Sequence, residues 1–408
     1  MAIIIVLLIM GGCAAYQYLK GTFLRALLTI IIAVCGGIVA FSFFEFLAEF
    51  IISRGKEGSL LFLVPWAQPL CFVLLFVLTF AVLQTAAVQL TQKPVDFGFL
   101  PERIGRIICG IILGFYVSGL LLVCLQMGPL PPKFPYQRLD PAKLDPDNPN
   151  TVLLNADGFA TGLFNMISNG SFSGKRSFAA VHPDYLNQLY MNRLKNDISL
   201  ISCTPAIEIS RPAVWPAPEA VKKQVEDFVT EYNSRGKLID EESKKSIPMY
   251  SWLRSGYEPT IVRVALKRSA LQADPRVNAG VFSLNQVRLI CKRKGYGQDP
   301  YTGTAINVFP LGYLNNANQI QLNPDVQIKG DQFGQNGNKK DFDFVFCLPS
   351  GYVPVLLQYK LNNILDISNA IAPADQAYPG PDYNRPSRGN EEPANQPARE
   401  ENTETPAN

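Results

Sequence analysis

The chain carries one histidine, His182, and any acid–base chemistry that needs an imidazole must run through it. A serine hydrolase requires a base beside its nucleophile and a third group that orients the base. No G-x-S-x-G turn is present; Gly170-Ser171-Phe172-Ser173-Gly174 comes nearest and lacks that spacing. His182 stands directly before Pro183, which reads as a loop position or the start of a helix. A zinc site needs paired ligand spacings, and Cys203, Cys291 and Cys347 show none. Asp341 and Asp343 lie on one face of an alternating run, where a solvated strand face is the plainer reading. The Asp- and Asn-rich stretch 323–341 lacks the ligand spacing of a calcium loop, and no glycine-rich phosphate loop appears. These residues point away from catalysis, and no metal or cofactor is expected.

One pair of carboxylates has a different setting. Glu45 and Glu49 are four apart, hence on one face of a helix, at the end of an apolar run. Ionisable groups there either border a pathway between helices or sit at the headgroups as interfacial carboxylates, the commoner case.

The elements that hold this pair are membrane helices. A helix rises about 1.5 Å per residue, so roughly 20 apolar residues cross the hydrocarbon core. Ala2 to Leu19, Ala26 to Phe44, Gly58 to Gln92 and Ile107 to Pro132 are free of charged residues. Pro65 and Pro69 divide the third into an interfacial lead-in near Trp66 and a span from about Pro69 to Val88. Four transmembrane helices are therefore expected within residues 1–130. No Lys or Arg precedes the first apolar run, so an uncleaved first helix is expected rather than a signal peptide. Lys20 and Arg25 in the first connector, and Lys93, Arg103 and Arg106 in the third, place both in the cytoplasm by the positive-inside rule. Everything after Leu130 then lies outside it.

Small residues recur along these spans: Gly11-Gly12 with Ala14-Ala15, Gly36-Gly37 with Ala33 and Ala40, and Gly110, Gly114 and Ser118 at four-residue steps. Such faces let helix backbones approach closely, within one chain or between copies as a homo-oligomer. Together with Lys20-Gly21-Thr22-Phe23-Leu24-Arg25 before the second span and Glu102-Arg103 before the fourth, the order resembles the CvpA family of colicin V production proteins. The matching positions are Gly21, Phe23 and Arg25 in the first connector, and Arg103, Gly110 and Gly114 in the fourth span. Glu102 stands where the family has Asp, and Arg106 occupies a glycine position, which argues for looser packing at that end. The resemblance implies a four-span bacterial inner-membrane protein tied to toxin production and envelope physiology. It supplies no catalytic residues.

The remainder reads as an α+β soluble region. Residues 131–150 form a proline-rich linker, stiff and extended. Residues 151–257 are mainly helical, with apolar stripes over Asn155 to Ile167, Pro183 to Leu194 and Ala217 to Tyr232. Residues 258–370 change to a period of two, as in Phe342, Phe344 and Phe346, and predict an antiparallel β-sandwich-like sheet. Residues 371–408 hold too few large apolar residues to bury a core and are expected to be a disordered tail. A Cys203–Cys291 or Cys291–Cys347 bridge fits an oxidising compartment.

The whole chain of 408 residues is 48% hydrophobic and carries a net charge of +3, with no basic run to hold nucleic acid. The expected partners are the lipid bilayer and an envelope protein. A non-enzymatic anchor carrying a periplasmic binding or assembly domain is the leading expectation. A transport or secretion component, using Glu45 and Glu49 along the helix bundle, is the alternative.

Overall fold

The computed structural model describes residues 1–20, 22–55, 61–90, 98–169, 176–195, 197–202, 204–275, 278–295, 299–333 and 337–381. Its four long helices are α1 (Ala2–Lys20), α2 (Phe23–Gly55), α3 (Ala67–Leu90) and α4 (Phe99–Met127). All four are long and apolar enough to cross a membrane. The lead-in to α3 is a short 3-10 turn, Leu61–Trp66, that ends at the indole expected at the interface. Helix α1 packs on α4, and α2 on α3 and α4. Ile4, Leu8, Leu74, Val77 and Leu78 are exposed on the outer faces of α1 and α3.

Glycine sets the α1–α4 distance. A Cβ at Gly110 would stand 2.5 Å from the Ala14 Cα, and one at Gly114 2.5 Å from the Met10 Cα. Backbones this close are open only to glycine, so this stripe is consumed by packing within the chain. A Cβ at Gly36 would meet the Phe76 ring at 3.2 Å, and one at Gly37 would overlap the Tyr116 hydroxyl. Gly11 and Gly12 face open space. The expected looseness near Arg106 is not found: its guanidinium holds Glu102 at 2.8 Å, and Glu102 Oε1 accepts the Phe23 backbone N–H at 2.8 Å, tying α4 to the start of α2. Arg103 lies over the Phe99 ring at 4.1 Å, and Arg25 opens α2 with its N–H on the Thr22 hydroxyl. Gly21 lies outside the described residues.

Beyond the spans, the helices are α5 (Ala156–Asn169), α6 (Phe178–Val181), α7 (Tyr185–Arg193) and α8 (Glu219–Arg235). Helix α8 is amphipathic: Val221, Val225, Val229 and Tyr232 are buried, and Gly236 at φ 68° ends it with its N–H on the Tyr232 carbonyl. The chain contributes strands β1 (Ile207–Glu208), β2 (Val214–Pro216), β3 (Leu238–Ile239), β4 (Ser246–Ile247) and β5 (Tyr257–Lys267). Next come β6 (Gln272–Asp274), β7 (Ala279–Ser283), β8 (Val287–Arg293), β9 (Ile306–Val308) and β10 (Gly312–Leu314). The last are β11 (Ile320–Gln321), β12 (Asp325–Lys329), β13 (Lys339–Pro349), β14 (Tyr352–Tyr359) and β15 (Asn363–Asp366).

All strand pairs are antiparallel. The principal sheet runs β1-β5-β13-β10-β11, with β2 also on β5; the others are β12-β7-β6, β15-β14-β8-β9 and the pair β3-β4. Val264, Phe344 and Phe346 of the principal sheet, Phe282 and Ile328 of the second, and Leu289 and Leu357 of the third share one core. Three sheets, rather than the two of an immunoglobulin sandwich, thus close on it. Strand β13 is buried on both faces, because α8 covers Val345 and Cys347 while the phenylalanines point the other way.

Three boundaries differ from the sequence expectation. Strands β1 and β2, from the mainly helical part, pair with β5, so 257/258 is no division between structural units. The proline-rich segment is not a free spacer: Leu139 and Leu144 are buried against Tyr190, Met191, Tyr250 and Phe309. Residues 371–381 lie against the principal sheet, with the Ala372 N–H on the Val214 carbonyl at 2.8 Å and the Tyr378 hydroxyl on Asp343. Backbone hydrogen bonds and one tyrosine hold a segment that has no aliphatic stripe. The expected disordered stretch beyond it, 382–408, lies outside the described residues.

Candidate functional site

The spans and the soluble region meet in one apolar core. Phe41 and Phe44 of α2 and Phe72 of α3 pack with Phe164 of α5, Phe178 of α6, and Tyr185 and Leu189 of α7. The Phe41 and Phe164 rings stack at 4.7 Å, and Phe41 meets Phe178 edge-on at 5.3 Å. Helix α7 is wedged between this core and the β-rich part. The sequence shows an apolar side and a polar side; in the structure every residue from Tyr185 to Arg193 is buried. Its polar side chains therefore need partners. Asn187 accepts from Arg138 at 2.6 Å and donates to the Pro146 carbonyl at 2.7 Å, and Arg193 donates to the Phe134 carbonyl at 2.7 Å. The Asp184 side chain caps the helix through the Asn187 N–H.

His182 stands at the turn from α6 to α7, 1% exposed, and its Nε2 lies 2.6 Å from Glu45 Oε1. Arg176 reaches the other Glu45 oxygen at 3.5 Å. Glu45 thus bridges a long apolar helix to the region that follows α4, a role that no local pattern shows.

A chain of buried polar contacts runs up to the imidazole. Gln358 Nε2 donates to the Leu361 carbonyl at 2.9 Å, which turns Gln358 Oε1 toward Gln188 Nε2 at 3.0 Å and Arg288 Nε at 2.6 Å. Gln188 Oε1 faces His182 Nδ1 at 2.7 Å, and Arg288 Nη2 lies 3.3 Å from the same ring nitrogen. Arg288 is fully buried; besides Gln358 it donates to Asn307 and to the Val181 carbonyl at 2.7 Å. Burial pushes its guanidinium down to about 9, against the opposing pull of Glu45 and Asp184.

A second polar joint lies beside α4. Asp157 of α5, wholly buried, accepts from Gln126 Nε2 at 2.9 Å and from the Tyr136 hydroxyl. Burial, together with the Asp157 carboxylate, raises the Tyr136 phenol above its ordinary range. A Cβ at Gly119 would strike the Ala156 carbonyl, so α4 and α5 also touch backbone to backbone.

A cavity of about 770 Å³ opens beside the Glu45–His182 pair, and Glu49 lines it too. Both carboxylates line this one cavity. Ser168 and Ser177 also border it, but their hydroxyls bond to each other at 2.9 Å, and both nitrogens of His182 are engaged by Glu45 and Gln188. That arrangement activates neither serine as a nucleophile. Among the described residues no group of three His, Cys, Asp or Glu is placed to hold a metal.

Elsewhere the expectations are corrected. Asp343 does not face solvent: it is fully buried and bidentate with Arg263, at 2.7 Å for each contact, because β5 and β13 set the two residues opposite each other. Burial also raises the Asp341 carboxyl. Cys291 and Cys347 are buried free thiols, not a bridge, and Cys203 lies outside the described residues. Burial pushes the Cys347 thiol up to about 12.

No family model, curated protein or solved structure matches this chain.

Proposed function

We propose that this protein is a non-enzymatic, multi-pass inner-membrane protein of the CvpA type. Its α+β region works outside the cytoplasm as a binding or assembly domain, linked to toxin production and envelope physiology. The observation that carries the reading is the continuous core between spans and domain, closed by Glu45 on His182. A domain fixed in this way to its membrane helices presents a partner surface at a set height and orientation above the bilayer. A domain on a flexible tether does not. Protease treatment of cells with a permeabilised outer envelope tests the placement. Digestion of the domain while a cytoplasmic control survives supports it, and protection of the domain reverses it.

A second reading has its own observation. Glu45 and Glu49 both line the cavity, as a transport or secretion component would require of ionisable groups on a route between helices. Glu45→Gln with Glu49→Gln separates the readings: unchanged transport and an unchanged envelope phenotype end the pathway.

A further inference from the structure

The cavity beside Glu45 has both apolar and polar lining residues. One wall is the apolar flank of α2, where Phe43 and Phe46 are 55% and 80% exposed and carry the wall onto the outer surface of the span. Its polar lining includes Glu49, Arg176 and Gln68. Gln68 is 3% exposed, yet its Oε1 has no hydrogen-bond partner, which is costly for a buried acceptor unless a ligand donates to it. The volume of about 770 Å³ falls within the roughly 300–1,000 Å³ of small-molecule sites.

We propose that this cavity binds a membrane phospholipid with a zwitterionic primary-amine headgroup. The charges select the class. Glu45 is already held by His182 at 2.6 Å and Arg176 at 3.5 Å, whereas Glu49 has no ion pair among the described residues. Glu49 therefore takes the ammonium, with Gln68 Oε1 accepting a further N–H, and Arg176 takes the phosphate. Glu49 adds a negative charge that no ion pair among the described residues offsets, which disfavours an anionic headgroup. The acyl chains run along Phe43 and Phe46, where the span meets lipid. The inference rests on α2 lying in a bilayer and is independent of which side the domain faces.

The test uses the full chain, reconstituted in nanodiscs of equal phosphatidylethanolamine and phosphatidylglycerol and then released into mild detergent for native mass spectrometry. One retained phosphatidylethanolamine is expected, favoured about tenfold over the anionic lipid, the effect of one charge-assisted contact. Glu49→Gln should remove most of that preference. Ser42→Phe, which narrows the cavity from an exposed position on α2, should abolish retention with the melting temperature unchanged. Equal retention of both lipids, or full retention by Ser42→Phe, overturns the proposal. So does displacement of the lipid by glycerophosphoethanolamine alone, which would make the site one for a soluble headgroup. Carbonate-resistant membrane association of the same variants reports bilayer placement separately.

Discussion

Glu45 Oε1 lies 2.6 Å from His182 Nε2, joining the second long apolar helix to the only histidine of the chain, in the region that follows the four helices. The imidazole is 1% exposed, and the Glu45 side chain is 27% exposed. Removing one partner of such a pair leaves the other desolvated and uncompensated. His182→Ala or Glu45→Ala alone should each cost about 2 kcal/mol, below the range for fully buried pairs because Glu45 is partly open to the cavity. The double variant should lose less than the sum, since the two share one interaction. Thermal melting of the full chain in detergent, run as a double-mutant cycle, measures the coupling; strictly additive losses would show that the contact contributes nothing.

The α1–α4 contact predicts a contrast between glycines. Gly114→Leu forces a side chain into the Met10 backbone and should destabilise by about 1–3 kcal/mol, as overpacking does. Gly11→Leu enters open space and should melt as the wild type does. Equal melting of both variants would contradict the close approach of these helices.

Arg263, Asp343 and the segment 371–381 form one unit. Arg263 donates to both Asp343 oxygens and to the Gly380 carbonyl at 2.6 Å, while its guanidinium lies over the Trp215 and Tyr378 rings at 5.5 and 5.8 Å. Arg263→Ala should cost about 3–5 kcal/mol by stranding a fully buried carboxylate. It should also release the segment after Ile371 to limited proteolysis. Tyr378→Phe should release the segment with a smaller loss of stability. Mass spectrometry of the cleavage sites reads both outcomes.

Asp184 sets a pH dependence. Its carboxyl is raised, first by burial and against the pull of Arg138 and the Asn187 hydrogen bonds. The folded state therefore binds this proton more tightly than the unfolded chain does. The ionised group is a cost at neutral pH, and that cost is relieved as pH falls through the raised value. Asp184→Asn keeps a helix cap and removes the titration. The stability advantage of the variant over the wild type should be largest at neutral pH and shrink on acidification. Paired melting curves across that window check it; a constant difference would show that Asp184 titrates normally.

Cys291 and Cys347 are predicted to react with alkylating reagents only after denaturation, because both thiols are buried and raised by burial. Thiol titration with and without denaturant decides the point, and rapid labelling of the folded chain would refute it.

The sequence by itself determined what depends on local pattern. Charge-free length marks the four long helices, a stripe of valines marks α8 with its terminal Gly236, and alternating phenylalanines mark β13. Glycine spacing also marked Gly110 and Gly114 as close-packing positions, although not that Ala14 and Met10 receive them. The tertiary structure decided which charges meet. His182 before a proline carries no sign of Glu45, and Asp343 in an alternating strand looks solvated until β5 brings Arg263 opposite and Tyr378 closes over the pair. Helix α7 shows a polar side in sequence that is buried once α7 is wedged between the spans and the β-rich part. Helical and strand periods are set by a residue's neighbours along the chain, whereas burial, ion pairing and the shape of the cavity at Glu45 depend on elements far apart in sequence. No local pattern encodes the distances between those elements.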